Sequence, residues 1–202
     1  LTDVAIQVNR VVHSLQEERS ATLGYLQDPS SGAKARMKGQ RQFTNQQLRT
    51  LRQLVADSPV AQMSSAVQAA VARSAAGHDE LAGARKSVDA GRFFATETDV
   101  FYSKVIRTDL DLPGVIASSG TSALAQRLQA YEAVSTAIEY ASHERDIVET
   151  ALLRGTLTEA DFAQAAALVS QQRAAIADFQ RNADTATYAH LDNALSCAQN
   201  YE

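Results

Sequence analysis

The sequence predicts an all-α protein of long antiparallel helices that pass through two stacked layers. Three observations predict it. The chain of 202 residues has only 3 Pro, 9 Gly and 6% aromatic residues with no Trp, too few turn formers and aromatics for a β-sandwich or a glycine-rich nucleotide fold. Ala, Gln, Glu, Arg and Leu, all good helix formers, dominate instead. Apolar residues recur at seven-residue spacing over long stretches, as on one helix face.

The first helix carries Val4, Val8, Val11, Val12, Leu15, Leu23 and Leu26 and stops at Asp28-Pro29. After the Ser30-Ser31-Gly32 turn, a second runs through Phe43, Leu48, Leu51, Leu54 and Val55 to Asp57. Ser58 suits an N-cap and Pro59 a first helical turn, and Val60, Val67, Ser74, Leu81 and Val88 recur every seven residues, so a third helix is expected over 59–89. Ala90-Gly91 ends it. Thr96 with Asp99 is expected to cap a fourth helix, which runs to about Asp109 before Pro113-Gly114 breaks it. A fifth is expected over 118–154, stopped by Gly155. At about 1.5 Å per residue it would be about 55 Å long, more than one compact helical layer spans, and this length is what calls for two layers. Thr158 with Asp161 caps a sixth helix carrying Phe162, Val169, Ile176 and Phe179, and a seventh segment with Tyr188, Leu191 and Leu195 follows Asp184. No linker divides the chain, so residues 1–202 are expected to form one domain, cut from a longer protein because both ends fall inside helical patterns.

The net charge of −4 disfavours nucleic acid as a partner, since such surfaces usually carry a basic stripe. The single Cys197 excludes an intrachain disulfide and a cysteine zinc cluster. No apolar run is long enough to span a membrane. The short basic run Lys34, Arg36, Lys38 and Arg41 reads as a solvated helix face, and His13 and His78 as surface or boundary residues. Ser142-His143-Glu144-Arg145 resembles a kinase phospho-acceptor box but lacks the Thr-Pro that follows it there, and the chain has no ATP-binding glycine-rich segment. No histidine has a Glu three residues before it, as a di-iron bundle requires. The sequence thus offers no catalytic residue, metal site or cofactor, and the chain is not expected to be an enzyme.

Two residues break the apolar stripes. Val12, Arg19 and Leu26 are spaced by seven, as are Leu124, Tyr131, Ile138, Arg145 and Leu152. Arg19 and Arg145 are therefore expected on core-facing lines. A guanidinium near a core needs an anion there: Glu18, Glu144 or Glu149 from another helix, or a ligand. The guanidinium fork matches a planar oxyanion.

At these residues the sequence resembles the bacterial nitrate- and nitrite-sensing domain. The segment Gln16-Glu17-Glu18-Arg19-Ser20-Ala21-Thr22-Leu23-Gly24-Tyr25-Leu26 is similar to that family's opening helix, with Ser20 where Gly is usual. Glu139-Tyr140-Ala141-Ser142-His143-Glu144-Arg145-Asp146 is similar to its second Glu-Arg segment. Gln40-Arg41, Arg85-Lys86-Ser87-Val88-Asp89-Ala90-Gly91, Phe101-Tyr102-Ser103-Lys104-Val105-Ile106, Gln172-Arg173 and Phe179 also fit. The resemblance spans about residues 10–180. It implies a pair of stacked four-helix bundles in a sensor module that takes nitrate or nitrite between Arg19 and Arg145. Arg85, four residues after Leu81, reads first as a surface or ion-paired residue and otherwise as a supporting residue that lines a cavity. Such domains occur in sensor kinases, chemoreceptors, cyclases and antiterminators. This chain looks like the extracytoplasmic part of a bacterial cell-membrane receptor, joined to the membrane only through flanking segments and working as a homodimer. The alternative is a helical interaction or dimerisation domain in which the arginines form permanent salt bridges.

Overall fold

The computed structural model describes the backbone of residues 2–118 and 122–183 and the side chains of 3–118 and 125–183. Six α-helices follow one another: α1 (Thr2–Gln27), α2 (Ser31–Ala56), α3 (Ser65–Asp89), α4 (Ala95–Ala117), α5 (Ser122–Arg154) and α6 (Glu159–Asn182), with a 3-10 turn at Pro59–Gln62 before α3. The described residues include no strand, as the composition predicted. The expected seventh segment and Cys197 lie outside the described residues.

Successive helices run in opposite directions, because short connections force each to turn back on the last. Gln7 meets Gln47 and Ser14 meets Thr44 between α1 and α2. Arg41 meets Asp89 and Arg52 meets Asp79 between α2 and α3. His78 meets Asp109 and Glu80 meets Lys104 between α3 and α4. Helices α1 and α5 are consequently parallel neighbours. Helices α1–α4 enclose the main apolar core, in which Val4, Val8, Val11 and Leu15 of α1 pack with Leu48, Leu51, Val67, Leu81, Val105 and Ile106. Helix α5 lies against both α1 and α4, and α6 packs on α5.

Local chemistry sets the helix ends. Ser30, Ser64 and Thr158 accept hydrogen bonds from the backbone N–H groups of Ala33, Val67 and Asp161. Gly91 and Gly155 end α3 and the α5 turn with positive φ of 66° and 74°, a conformation that glycine adopts without a side-chain clash.

Several boundaries differ from the sequence expectation. The third helix begins at Ser65, not at 59, because Ser64 provides the cap and Pro59 starts only the 3-10 turn. Helix α4 begins at Ala95, where Glu97 accepts from the Phe94 N–H at 3.1 Å, so Thr96 lies within the first turn. Pro113 does not break α4. The helix continues to Ala117 with Leu110, Leu112 and Ile116 buried around the proline, and this packing offsets the one backbone hydrogen bond that a proline removes.

The largest correction concerns α5. The line through Ile138, Arg145 and Leu152 faces outward, with Ile138 51% and Leu152 74% exposed. Small and polar residues face inward instead: Ala130, Ala133, Ser135, Ala137, Glu139, Ser142 and Asp146. Small side chains let α5 approach α1 and α4 closely, so bulky residues at seven-residue spacing are left on the outer face. On α6, Leu168, Ala175 and Phe179 are buried while Phe162 is exposed.

Candidate functional site

Halfway along α1 the buried residues change character. Up to Leu15 they are mostly apolar, with Gln7 and Ser14 the polar members. From Gln16 on, Gln16, Glu18, Arg19 and Thr22 are buried as deeply as the valines before them, and Ser20 is buried as well. Glu18 and Arg19 are both at 0% exposure and leave the helix in different directions.

Arg19 reaches toward α5 and α4. Its Nε donates to Asp146 Oδ2 at 2.8 Å and its Nη1 to Glu139 Oε1 at 2.6 Å. Nη1 also donates to Ser103 Oγ at 3.0 Å, and Asp99 Oδ1 lies 4.0 Å from Nε. Gln16 donates to the other Glu139 oxygen at 2.9 Å. Burial by itself lowers the Arg19 pKa, but the Glu139, Asp146 and Asp99 carboxylates outweigh it and raise the pKa above the ordinary arginine value.

These three carboxylates share one buried cation, and they do not share it equally. Asp99 is held below the ordinary aspartate value: burial would raise it, but the His143 ring at 3.0 Å and then Arg19 draw it down. Asp146 is raised, because burial outweighs Arg19, Arg145 and the neighbouring Ser20. Its Oδ1 is buried without a hydrogen-bond partner. Asp146 is thus the least satisfied acid of the cluster.

Glu18 points the other way. Arg85 of α3 grips it with both prongs, Nε to Oε1 and Nη2 to Oε2, each at 2.7 Å. Tyr102 donates to Oε1 at 2.6 Å, and Asn45 accepts from Arg85 Nη1 at 2.7 Å. Burial, then Glu18, push the Tyr102 hydroxyl pKa far up. Arg85 is raised because Glu18 and Tyr102 outweigh its burial. One turn of α1 is therefore tied by charge to α3 and α4 on one side and to α5 on the other.

The expected arginines fall in unlike places. Arg19 is wholly buried as predicted, but its acids are Glu139 and Asp146, not Glu18, Glu144 or Glu149. Arg145 is 43% exposed along its side chain and pairs with Glu17 at 3.2 Å. The two meet through Asp146: Arg19 holds Oδ2, and Arg145 Nη2 lies 3.6 Å from Oδ1. A planar carboxylate thus sits between the two guanidinium groups. Arg85 is one residue removed from Arg19, bound to its neighbour Glu18.

Sequence reasoning missed Glu139 and Asp146, although a signal existed. Ser135, Glu139, Ser142 and Asp146 are spaced four, three and four apart and form one polar stripe on α5. His78 was also misplaced. It is buried and pairs with Asp109 at 2.8 Å, and Ser74 donates to the other Asp109 oxygen at 2.6 Å. Arg41, expected on a solvated face, is buried with Nη1 on Asp89, while Lys34, Arg36 and Lys38 are exposed. Here a neighbouring helix supplies the acid that a single helix does not reveal.

A cleft of about 320 Å³ opens onto the Arg19 cluster. Leu23, Val100 and Ile147 form part of its wall, Asp99, His143 and Asp146 its inner end, and the ion-paired Arg154 and Asp161 its outer side. A second cavity, about 10 Å³ and so the size of one water, touches Asp146 from the Ser20 side. Among the described residues no group of His, Cys, Asp and Glu side chains is arranged to hold a metal ion, and no helix is long and apolar enough to cross a membrane.

The profile of the family described as "Nitrate and nitrite sensing" matches residues 10–202, and the chain belongs to that family. A solved structure, that of the NasR transcription antiterminator, superposes with a TM-score of 0.80 at 24% identity, over 90% of this chain and 50% of that one. The likeness shows a shared helical fold. The chain spans half the length of that protein. A search of curated proteins found no match.

Proposed function

We propose that this member of the nitrate and nitrite sensing family is the ligand-sensing module of a bacterial signal-transduction receptor, binding nitrate or nitrite at Arg19 and Arg145. The observation that carries the reading is the carboxylate between the two arginines. A buried guanidinium and a half-exposed one reach a single planar anionic group, the geometry that a planar oxyanion requires. The cleft beside Asp99, His143 and Asp146 supplies access from solvent.

In this reading the anion bridges α1 and α5. Both helices run parallel, and the same turn of α1 is bonded through Glu18 to Arg85 and Tyr102. A change in the α1–α5 spacing therefore moves α1 against α3 and α4 as well, and a small axial shift can be passed to an output module. A ligand biases such a shift only by its difference in affinity for the two states. In the intact receptor the module is extracytoplasmic, attached through flanking membrane segments, and paired with a second copy.

The saturation of Arg19 by Glu139 and Asp146 favours a second reading, in which the arginines are permanent struts of an interaction domain. Melting curves with nitrate, nitrite, chloride and acetate separate the two. For a sensor, nitrate stabilises wild type by about 2.7 kcal/mol at a hundredfold excess over Kd. Arg145→Ala stays folded and loses that gain. An absence of any anion-specific shift in wild type leaves the strut reading.

A further inference from the structure

We propose that Asp146 is a built-in competitor for the anion: its carboxylate occupies the oxyanion position between Arg19 and Arg145, and nitrate enters by exchanging with it while Asp146 takes up one proton from solvent. The inference rests on the anion-binding reading above and adds the residue that sets affinity.

Geometry carries the argument. Asp146 holds the Nε donor of Arg19 at 2.8 Å and lies within 3.6 Å of Arg145. These are the two cations that an incoming oxyanion would need: Asp146 accepts the hydrogen bond of Arg19 Nε, and Arg145 Nη2 lies beside its Oδ1 while donating to Glu17 at 3.2 Å and Ser142 at 3.4 Å. The other prongs of Arg19 are held by Glu139 and Ser103, which leaves no second vacant edge. The competitor is also the member best placed to leave. It lies at the inner end of the cleft, it borders the water-sized cavity, and its Oδ1 has no hydrogen-bond partner to lose.

Charge decides the coupling. Asp146 is faced by Arg19 on α1, Asp99 on α4, and His143, Arg145 and Glu149 on α5, with Glu17 of α1 paired to Arg145 and Asp161 of α6 across the cleft bridged by Arg154. Glu139 stays on Arg19 throughout. A further anion beside an ionised Asp146 would meet carboxylates on several sides in a poorly hydrated place. Protonating one acid relieves this. Asp99 is held ionised by His143 and Arg19, whereas burial already favours the neutral form of Asp146. Nitrate is the anion of a strong acid and does not itself titrate, so a pH dependence of its binding belongs to the protein.

Calorimetric titration of the whole chain with sodium nitrate tests this, at constant ionic strength from pH 5 to 8 and in two buffers of different ionisation enthalpy. The expected result is uptake of one proton per nitrate and a Kd that rises about tenfold per pH unit above the Asp146 pKa. Asp146→Asn, neutral and of the same shape, should bind nitrate at least about tenfold more tightly at pH 7.5, with no pH or buffer dependence left. Wild type that binds nitrate with a pH-independent Kd and no proton uptake overturns the exchange while leaving the sensor reading intact. So does an Asp146→Asn protein that is helical by circular dichroism and binds no more tightly. If neither protein binds nitrate, this inference falls together with the sensor reading. If Asp146→Asn does not fold, the proton count of wild type decides alone.

Discussion

Helix α1 has two seams of opposite character. Toward α2 and α4 it presents Val4, Val8, Val11 and Leu15, all at 2% exposure or less. Toward α5 it presents Asn9, Gln16, Arg19 and Ser20, which bond to Ser135, Glu139, Asp146 and Glu149. Both seams bury α1, but they respond differently to movement. Apolar contacts are non-directional and nearly proportional to buried area, so a slide by a fraction of an ångström costs little. Hydrogen-bonded ion pairs depend on distance and angle, so a new anion can rearrange them. A helix that can slide slightly on its apolar face and is held by exchangeable charges on the other can move in response to a small ligand.

The largest effect on this contrast should come from Arg19→Ala. It strands Glu139 and Asp146 without their cation, and breaking such a buried pair costs about 3–5 kcal/mol. Chemical denaturation would measure it, and a loss under about 1 kcal/mol would mean that the polar seam is already loose. Leu15→Ala probes the other seam. A fully buried leucine reduced to alanine costs about 2–5 kcal/mol, with no change in any nitrate-induced shift of the melting temperature. If Leu15→Ala abolished that shift, the two seams would not be functionally separate.

The smallest effect is on pH dependence, where two acids of one cluster should act with opposite signs. Asp99 has a lowered folded pKa. Its contribution is present above the unfolded value and is lost as pH falls through the lower folded one. Asp146 has a raised folded pKa. Its contribution is full below the unfolded value and is lost as pH rises through the higher folded one. Stability profiles from pH 2 to 7 should therefore lose part of their acid limb in Asp99→Asn and part of their decline on the alkaline side in Asp146→Asn. Identical profiles for the two variants would show that the cluster does not shift the two acids in opposite directions.

Much of this protein was legible without coordinates. Helix content follows from composition, and α1, α2 and the ends at Gly91 and Gly155 follow from periodicity and glycine chemistry. Of the stripe Val60, Val67, Ser74, Leu81 and Val88, the last four are buried as the spacing required, while Val60 falls in the 3-10 turn before α3 and is only partly covered. Arg19 was legible because it lies between Val12 and Leu26 on an apolar line; the same spacing marked Arg145, which no neighbour covers. The resemblance to the nitrate- and nitrite-sensing domain agrees with the family match over residues 10–202.

What the sequence by itself determined, then, is local: which stretches form helices, where glycine chemistry stops them, and one of the two buried charges of α1, Arg19 but not Glu18. Tertiary structure decided the rest. Periodicity marks a stripe but does not say whether a neighbour covers it. The Ile138, Arg145 and Leu152 line therefore faces out, while the alanine- and serine-rich face of α5 packs inward. His78 and Arg41 are buried because α4 and α3 bring Asp109 and Asp89 to them. Likewise Arg19 meets Asp146 across 127 residues of chain. Such a pairing depends on how parallel helices are set side by side, a relation between distant segments on which helix propensity, capping and hydrophobic spacing place no constraint.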